Sequence, residues 1–261
     1  MSVDRGFCTV QIPGASLALG MLGLQIDASV FTGSISKGVT YGPGLISKTE
    51  GHQMKVHIVT AHPESRSFNF ALRHLAVEML RGEGHEVKCS DLHQDGFGPS
   101  AGPGDFEQPQ ESDSWQLASA QLDHEKHGGF VFEIRREQER VLWSDLTILQ
   151  FPIWWGSYPA ILKGWIDRVL SYGFAYGRSR TLPRKAAMYS VTTGGAANEA
   201  EAAEYRERVD GLAEDVFGYL DWQVLPPSIC HGPADSGAEA RQQMLDDFEN
   251  HLRKEIGALL G

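Results

Sequence analysis

From residue 54 onward, short runs of apolar and β-branched residues alternate with longer stretches in which apolar side chains recur every three or four positions. The runs at Lys55–Thr60, 86–90, 146–151, 185–191 and 223–225 read as strands. Those at 55–60 and 146–151 lack strict polar alternation, as expected for strands buried on both faces of a parallel sheet. Helical patterns fill 67–82, 134–143, 159–172 and 198–220, and a last one covers Ala238–Leu260. In the first of them Phe70, Leu72, Leu75, Ala76 and Met79 fall on or near one face. Ser67 or Asn69 can cap its start, and Gly82 with Gly84 stops it. Residues 95–129, rich in Gly, Pro, Asp and Gln, read as an irregular segment over the surface. Strand and helix in turn predict an α/β domain over 54–261, a doubly wound five-stranded parallel sheet with helices on both faces.

Residues 1–53 differ in texture. They are rich in Gly, Ser and Thr and sparse in charge, so they read as a poorly structured N-terminal extension outside the fold. Their moderately apolar part is broken by Pro13, Gly14, Gly20 and Gly23 and lacks the basic start of a secretory signal. Met54 would begin a sensible domain by itself. The formal net charge of −11 argues against a nucleic-acid or anionic-membrane surface. No apolar run approaches the ~20 residues that cross a bilayer. Cys8, Cys89 and Cys230 are few, odd in number and widely spaced, which fits free thiols in a reducing, cytoplasmic compartment and no disulfide scaffold. His93, His124, His127 and His231 fall at irregular spacing in segments read as loops, so no metal site is expected.

The candidate chemistry lies in three segments that each follow a strand. The first, Thr60-Ala-His62-Pro-Glu-Ser-Arg66-Ser67-Phe68-Asn69, offers hydroxyl, amide and guanidinium groups just before a helix, where backbone N–H groups can hold an anion. It lacks the glycines of a Walker loop or a G-x-G-x-x-G fingerprint. The second, Pro152-Ile153-Trp154-Trp155-Gly156, sets large flat side chains and a glycine at a strand end. The third, Thr192-Thr193-Gly194-Gly195, lets backbone approach a ligand closely and supplies hydroxyls for ring edges. Each alone has a plain structural reading as a cap, a core lid or a turn. Together they fall on one rim of a parallel sheet, where open α/β sheets bind ligands, and they suit phosphate, a flat aromatic face and polar ring atoms, the parts of a flavin nucleotide.

The loop from Ala61 to Asn69, the block Gln150-Phe-Pro-Ile-Trp-Trp-Gly-Ser-Tyr-Pro-Ala-Ile-Leu-Lys-Gly-Trp165 and Thr192-Thr-Gly-Gly195 resemble the NAD(P)H:quinone oxidoreductase family, the DT-diaphorase-like flavoproteins. Gly173-Phe-Ala-Tyr176, the Pro233-Ala-Asp stretch and Ala238-Glu-Ala-Arg241 extend the resemblance over residues 54–256. It implies a flavodoxin-like fold and a homodimer that binds FAD and reduces quinones by two electrons from NADH or NADPH. Hydride would pass from nicotinamide to flavin, the spent cofactor would leave, and quinone would take its place, a ping-pong course. Carried over by position, His62, Ser67, Phe68 and Asn69 would contact the diphosphate and ribityl part. Pro152, Ile153, Trp154 and Trp155 would support the ring system, Thr192, Thr193, Gly194 and Gly195 its polar edge, and Arg241 the adenine side. Tyr176 would line the neighbouring subunit's pocket. FAD is favoured over FMN by the long middle segment and the tail beyond the fifth strand.

Two departures stand out. The family's second tyrosine after Phe-Ala-Tyr176 is Arg178 here. The tyrosine and histidine that follow Thr-Thr-Gly-Gly in the best-known members have no counterpart in 196–205 except Tyr205, which becomes a candidate catalytic residue. Trp165 and Ile161 read as packing residues, and Phe130 and Phe132 as either cleft lining or loop anchors. Three other functions fit parts of the pattern. They are a flavin-dependent azo or nitro reductase, a flavodoxin-fold regulatory subunit of a membrane transporter and, least well, a one-electron carrier.

Overall fold

A computed structural model describes residues 53–108, 114–196 and 198–261. The extension expected at 1–53 therefore lies, but for Gln53, outside the described residues. Five parallel strands form the path of the sheet: β1 (Lys55–Thr60), β2 (Glu86–Asp91), β3 (Leu146–Pro152), β4 (Ala186–Thr193) and β5 (Gln223–Val224), in the order β2-β1-β3-β4-β5. A sixth, β6 (Ser228–His231), pairs with the second half of β4, so that Ser190 faces Ser228 and Thr193 faces His231. The expected fifth strand is thus two short pieces on the same edge of β4. Pro226 and Pro227 separate them, since two residues without N–H cannot continue a ladder.

The three central strands, β1, β3 and β4, bury both faces. Val56 and Ile58, Leu146 and Ile148, and Ala186 and Met188 point to the layer of α1 (Phe68–Gly82) and α6 (Ala238–Leu260), against Leu72, Leu80, Phe248 and Leu252. Val59, Leu149, Phe151, Tyr189 and Val191 point the other way. They meet α3 (Phe132–Trp143), α4 (Ala160–Val169) and α5 (Glu199–Ala213) through Val141, Leu162, Trp165 and Val209. Trp165 is fully buried, as its packing reading required.

Three local expectations are corrected. Residues 95–129 are not irregular throughout, because α2 (Leu117–His127) lies within them. His124 and His127 sit on that helix and His231 on β6, not in loops. His124 stacks on Phe106 with ring centroids 4.2 Å apart, beside buried Phe130, which anchors this segment and lines no cleft described below. Phe132, at the start of α3, is exposed. The helix expected at 198–220 changes pitch after Ala213 into a π-turn over Glu214–Gly218. The widened turn leaves the Leu212 carbonyl to accept from Tyr158 and Tyr189, at 2.6 and 3.3 Å.

Candidate functional site

Because β1, β3 and β4 run parallel, their following loops meet on one rim, where β1 has neighbours leading in opposite directions of the chain. A cleft of about 590 Å³ opens there. It is lined by His62, Arg66, Ser67, Phe68 and Asn69 from the first loop, Pro152, Ile153 and Trp154 from the second, and Thr192, Thr193 and Gly194 from the third. Pro233 and Ala234, from the turn between β6 and α6, and Arg241, from the first turn of α6, close it. Eleven of the thirteen expected cofactor-binding residues are therefore in one wall, and only Trp155 and Gly195 lie beside it.

Three buried amides and hydroxyls tie the loops together. Gln150 Nε2 donates to Asn69 Oδ1 at 2.8 Å, and Asn69 Nδ2 donates to Thr192 Oγ1 at 2.9 Å. One chain of hydrogen bonds thus joins β3, α1 and β4. Gln150 was not singled out in the sequence; an amide in an otherwise apolar strand was the available signal.

Ser67 occupies the N-cap position of α1, yet its hydroxyl caps nothing and is a buried group without a partner among the described residues. The first N–H groups of a helix also lack partners within it. His62 Nδ1 lies 3.0 Å from the Glu64 N–H and 3.2 Å from the Glu64 carbonyl, so the ring is held against its own loop. Burial holds His62 below its ordinary pKa. Arg66 is exposed and bound to Glu64, whose carboxyl it holds below the usual range. Arg241, on the first turn of α6, has no ion-pair partner among the described residues. The arrangement presents N–H, O–H and cationic groups to the cleft, chemistry that receives an anion.

The second loop makes a tight turn. Trp154 and Ser157 exchange backbone hydrogen bonds at 3.1 and 3.0 Å, while Trp155 has φ +50° and Gly156 φ +74°. Positive φ at both central residues defines a type I′ turn, which glycine accepts and a bulky side chain resists at a cost of about 1–3 kcal/mol. Trp155 is nonetheless there, and completely exposed. A tryptophan that caps a core would be neither strained nor bare. It faces a second cleft of about 410 Å³, shared with Ile153, Gly156, Glu201, Glu204, Tyr205 and Arg208. The Arg208 guanidinium packs against Gly156 so closely that a methyl group there would collide with it. The Tyr205 ring lies 5.6 Å from His231.

Tyr176 is not brought to this rim. It lines a separate cleft with Ile166, Asp215 and Tyr219, and contacts Tyr172 and Tyr219 in a row of three rings. Burial raises its hydroxyl pKa. Among the described residues no helix is long and apolar enough to cross a membrane.

A family model of the flavodoxin-like fold matches residues 54–252. Ribosyldihydronicotinamide dehydrogenase [quinone] of Mus musculus is 36% identical over 209 residues, which cover 76% of this chain and 90% of the mouse protein. NAD(P)H dehydrogenase [quinone] 1 of Rattus norvegicus is 32% identical, with 75% of each chain covered. A candidate quinone reductase from Klebsiella pneumoniae superposes with a TM-score of 0.71 at 32% identity, over 77% of this chain and 84% of that one.

Proposed function

The chain belongs to the flavodoxin-like NAD(P)H dehydrogenase (quinone) family, and we propose that it reduces quinones by two electrons at the expense of NADH or NADPH, using a flavin held in the rim cleft. The observation that carries this reading is the Gln150–Asn69–Thr192 chain, which fixes an anion-receiving loop, a flat-ring loop and a hydroxyl-glycine loop around one space. The residues present fit the group. The unpartnered Ser67 hydroxyl and the open N-terminus of α1 suit a diphosphate, with His62 and Arg66 beside them. Pro152, Ile153 and Trp154 offer a flat wall, and Thr192, Thr193, Gly194 and Gly195 polar atoms for a ring edge. Arg241 with Pro233 and Ala234 continues the cleft and favours FAD over FMN, for an adenosine half needs that extra wall. Bound there, a flavin supplies the hydride chemistry.

The protein's part is position and exclusion of water. Trp155 extends an aromatic face over the second cleft, where nicotinamide and quinone would stack in turn, a ping-pong order. Tyr205 stands in the same cleft as the residue to hold or release a proton at its hydroxyl. Tyr176 and exposed Tyr219 lie on the face we assign to a homodimer, through which Tyr176 would reach a neighbouring subunit's site. Quinone is preferred to an azo or nitro acceptor because the relatives' names carry it. Free Cys89 and Cys230 suit the cytoplasm. The test is the absorbance spectrum of the purified chain, followed by anaerobic NADH or NADPH and then a benzoquinone. Yellow protein that bleaches with the nucleotide and recovers with the quinone is the expected result. A protein that takes up neither FAD nor FMN would overturn the proposal.

A further inference from the structure

We propose that His231 is a positioning residue whose ring holds the Thr192–Gly195 loop in one hydrogen-bonded state when neutral and another when protonated, so that proton uptake there regulates what the cleft can bind. This rests on the reading of that cleft as the flavin site. The last residue of β6 and the glycine that follows it brace the loop in three ways. Gly232 N–H donates to the Thr193 carbonyl at 3.1 Å, and Gly232 packs against the backbone of Gly194 and Gly195. The third contact joins Thr193 Oγ1 and His231 Nδ1 at 3.0 Å.

In the neutral ring proposed here the proton sits on Nε2, so that Nδ1 accepts. Gly195 N–H donates to Thr193 Oγ1 at 3.2 Å, and among the described residues the hydroxyl's own proton has one other acceptor, Gly195 O at 3.4 Å. With His231 neutral, the hydroxyl donates to Nδ1 and keeps one lone pair for a ligand N–H in the cleft it lines. With His231 protonated, Nδ1–H must donate. The hydroxyl then turns its proton toward Gly195 O, and both its lone pairs are taken by Gly195 N–H and Nδ1–H. The proton on the imidazole thus removes an acceptor from the cleft wall without any residue leaving its place.

The groups that face His231 belong to α5 and β4. Glu201, Tyr205 and Arg206 come from the helix, and β4 contributes the Thr193 hydroxyl. Burial, ahead of the opposing influence of Glu201, lowers the pKa of His231 from its ordinary 6.5, and Arg206 adds to this. The ring is therefore neutral at pH 7, and the second state appears on mild acidification.

The experiment is an NMR pH titration of the full chain, following the His231 ring and the amides of Thr193, Gly194 and Gly195. All four should move together, with one midpoint below 6.5. In His231→Leu the amides should cease to titrate. His231→Asn, whose carbonyl oxygen can stand where Nδ1 stands, keeps an acceptor that cannot titrate and should hold the amides at their neutral-state positions. Amides that stay still while His231 titrates, or that titrate unchanged in both variants, would overturn the proposal. Quenching of FAD fluorescence by the flavin-free chain gives a second reading. Affinity should fall about tenfold through the His231 midpoint in wild type, the worth of one hydrogen bond, and stay level in His231→Asn. Wild type that binds no FAD at any pH would sink the functional reading, while the NMR titration would still decide the role of His231.

Discussion

His57 lies at the centre of β1, fully buried, and its protonation state is set by a network with no freedom left in it. Ser90 Oγ donates to Glu137 at 2.6 Å and accepts from Arg140 at 2.8 Å, so His57 Nε2, 2.8 Å away, must be the donor to its second lone pair. Nδ1 is then a bare acceptor, and it has no partner among the described residues. A second proton would create an N–H in the core with nothing to receive it. Glu137 is 3.8 Å from Nε2, but Trp165 Nε1 and Arg140 already donate to it at 3.0 and 2.8 Å. Burial, and then the charges of Arg140 and Lys88, lower His57 from 6.5 to about 3. In the unfolded chain it would titrate near 6.5, so unfolding takes up a proton below that pH. Stability is therefore whole above pH 6.5 and is lost as the pH falls toward 3, by about 1.4 kcal/mol per unit. From pH 6.5 to 4.5 this one residue removes about 2 kcal/mol, a large share of the ~5–15 kcal/mol of an ordinary domain. Urea unfolding of wild type and His57→Gln at both pH values isolates the effect, because Gln can still donate to Ser90 but cannot titrate. The loss on acidification should be about 2–3 kcal/mol smaller in the variant. Equal losses would refute the argument and mean that the neutral ring is not enforced by burial.

Four other outcomes follow from the geometry. Asn69→Ala breaks the chain between the loops and leaves the buried Gln150 amide and Thr192 hydroxyl unpaired. It should cost about 2–3 kcal/mol in thermal or urea unfolding, and a cost under half that would show the rim is held by something else. Trp155→Gly relieves a positive φ and uncovers no core, so the melting temperature should hold or rise slightly while FAD affinity and quinone turnover fall. Full activity with unchanged flavin content would mean the ring does not stack there. Gly164→Ala gains about 1 kcal/mol of helix propensity, yet its methyl group would collide with the Pro99 carbonyl, so a net loss of about 1–2 kcal/mol is expected. A stabilised variant would show the segment at Pro99 can yield. Removal of residues 1–53 should leave quinone turnover and the unfolding midpoint unchanged, because the Met54 N–H is held by His85 Nδ1 at 3.2 Å and its carbonyl by Glu86 N–H. Loss of folding would make the extension part of the domain.

The sequence by itself determined the alternation of strand and helix, the parallel sheet and the three loops that share its rim. These follow from periodicities of two and about three and a half residues, which local backbone geometry imposes on any buried face. It did not disclose α2, because the side of that helix turned inward carries Gln121 and His124 with Ala120, so no apolar stripe marks it. Nor did it disclose β6, four residues behind Pro226-Pro227 that read as a turn until β4 supplies the partner. Tertiary structure alone decided that Thr193 meets His231 across 38 positions and that Gln150, Asn69 and Thr192 form one chain. It alone set Trp155 bare on a strained turn and put Tyr176 in a cleft of its own, beside Tyr172 and Tyr219. Periodicity records which face of an element is buried. Which polar groups then pair depends on strand register and on loops that carry no period.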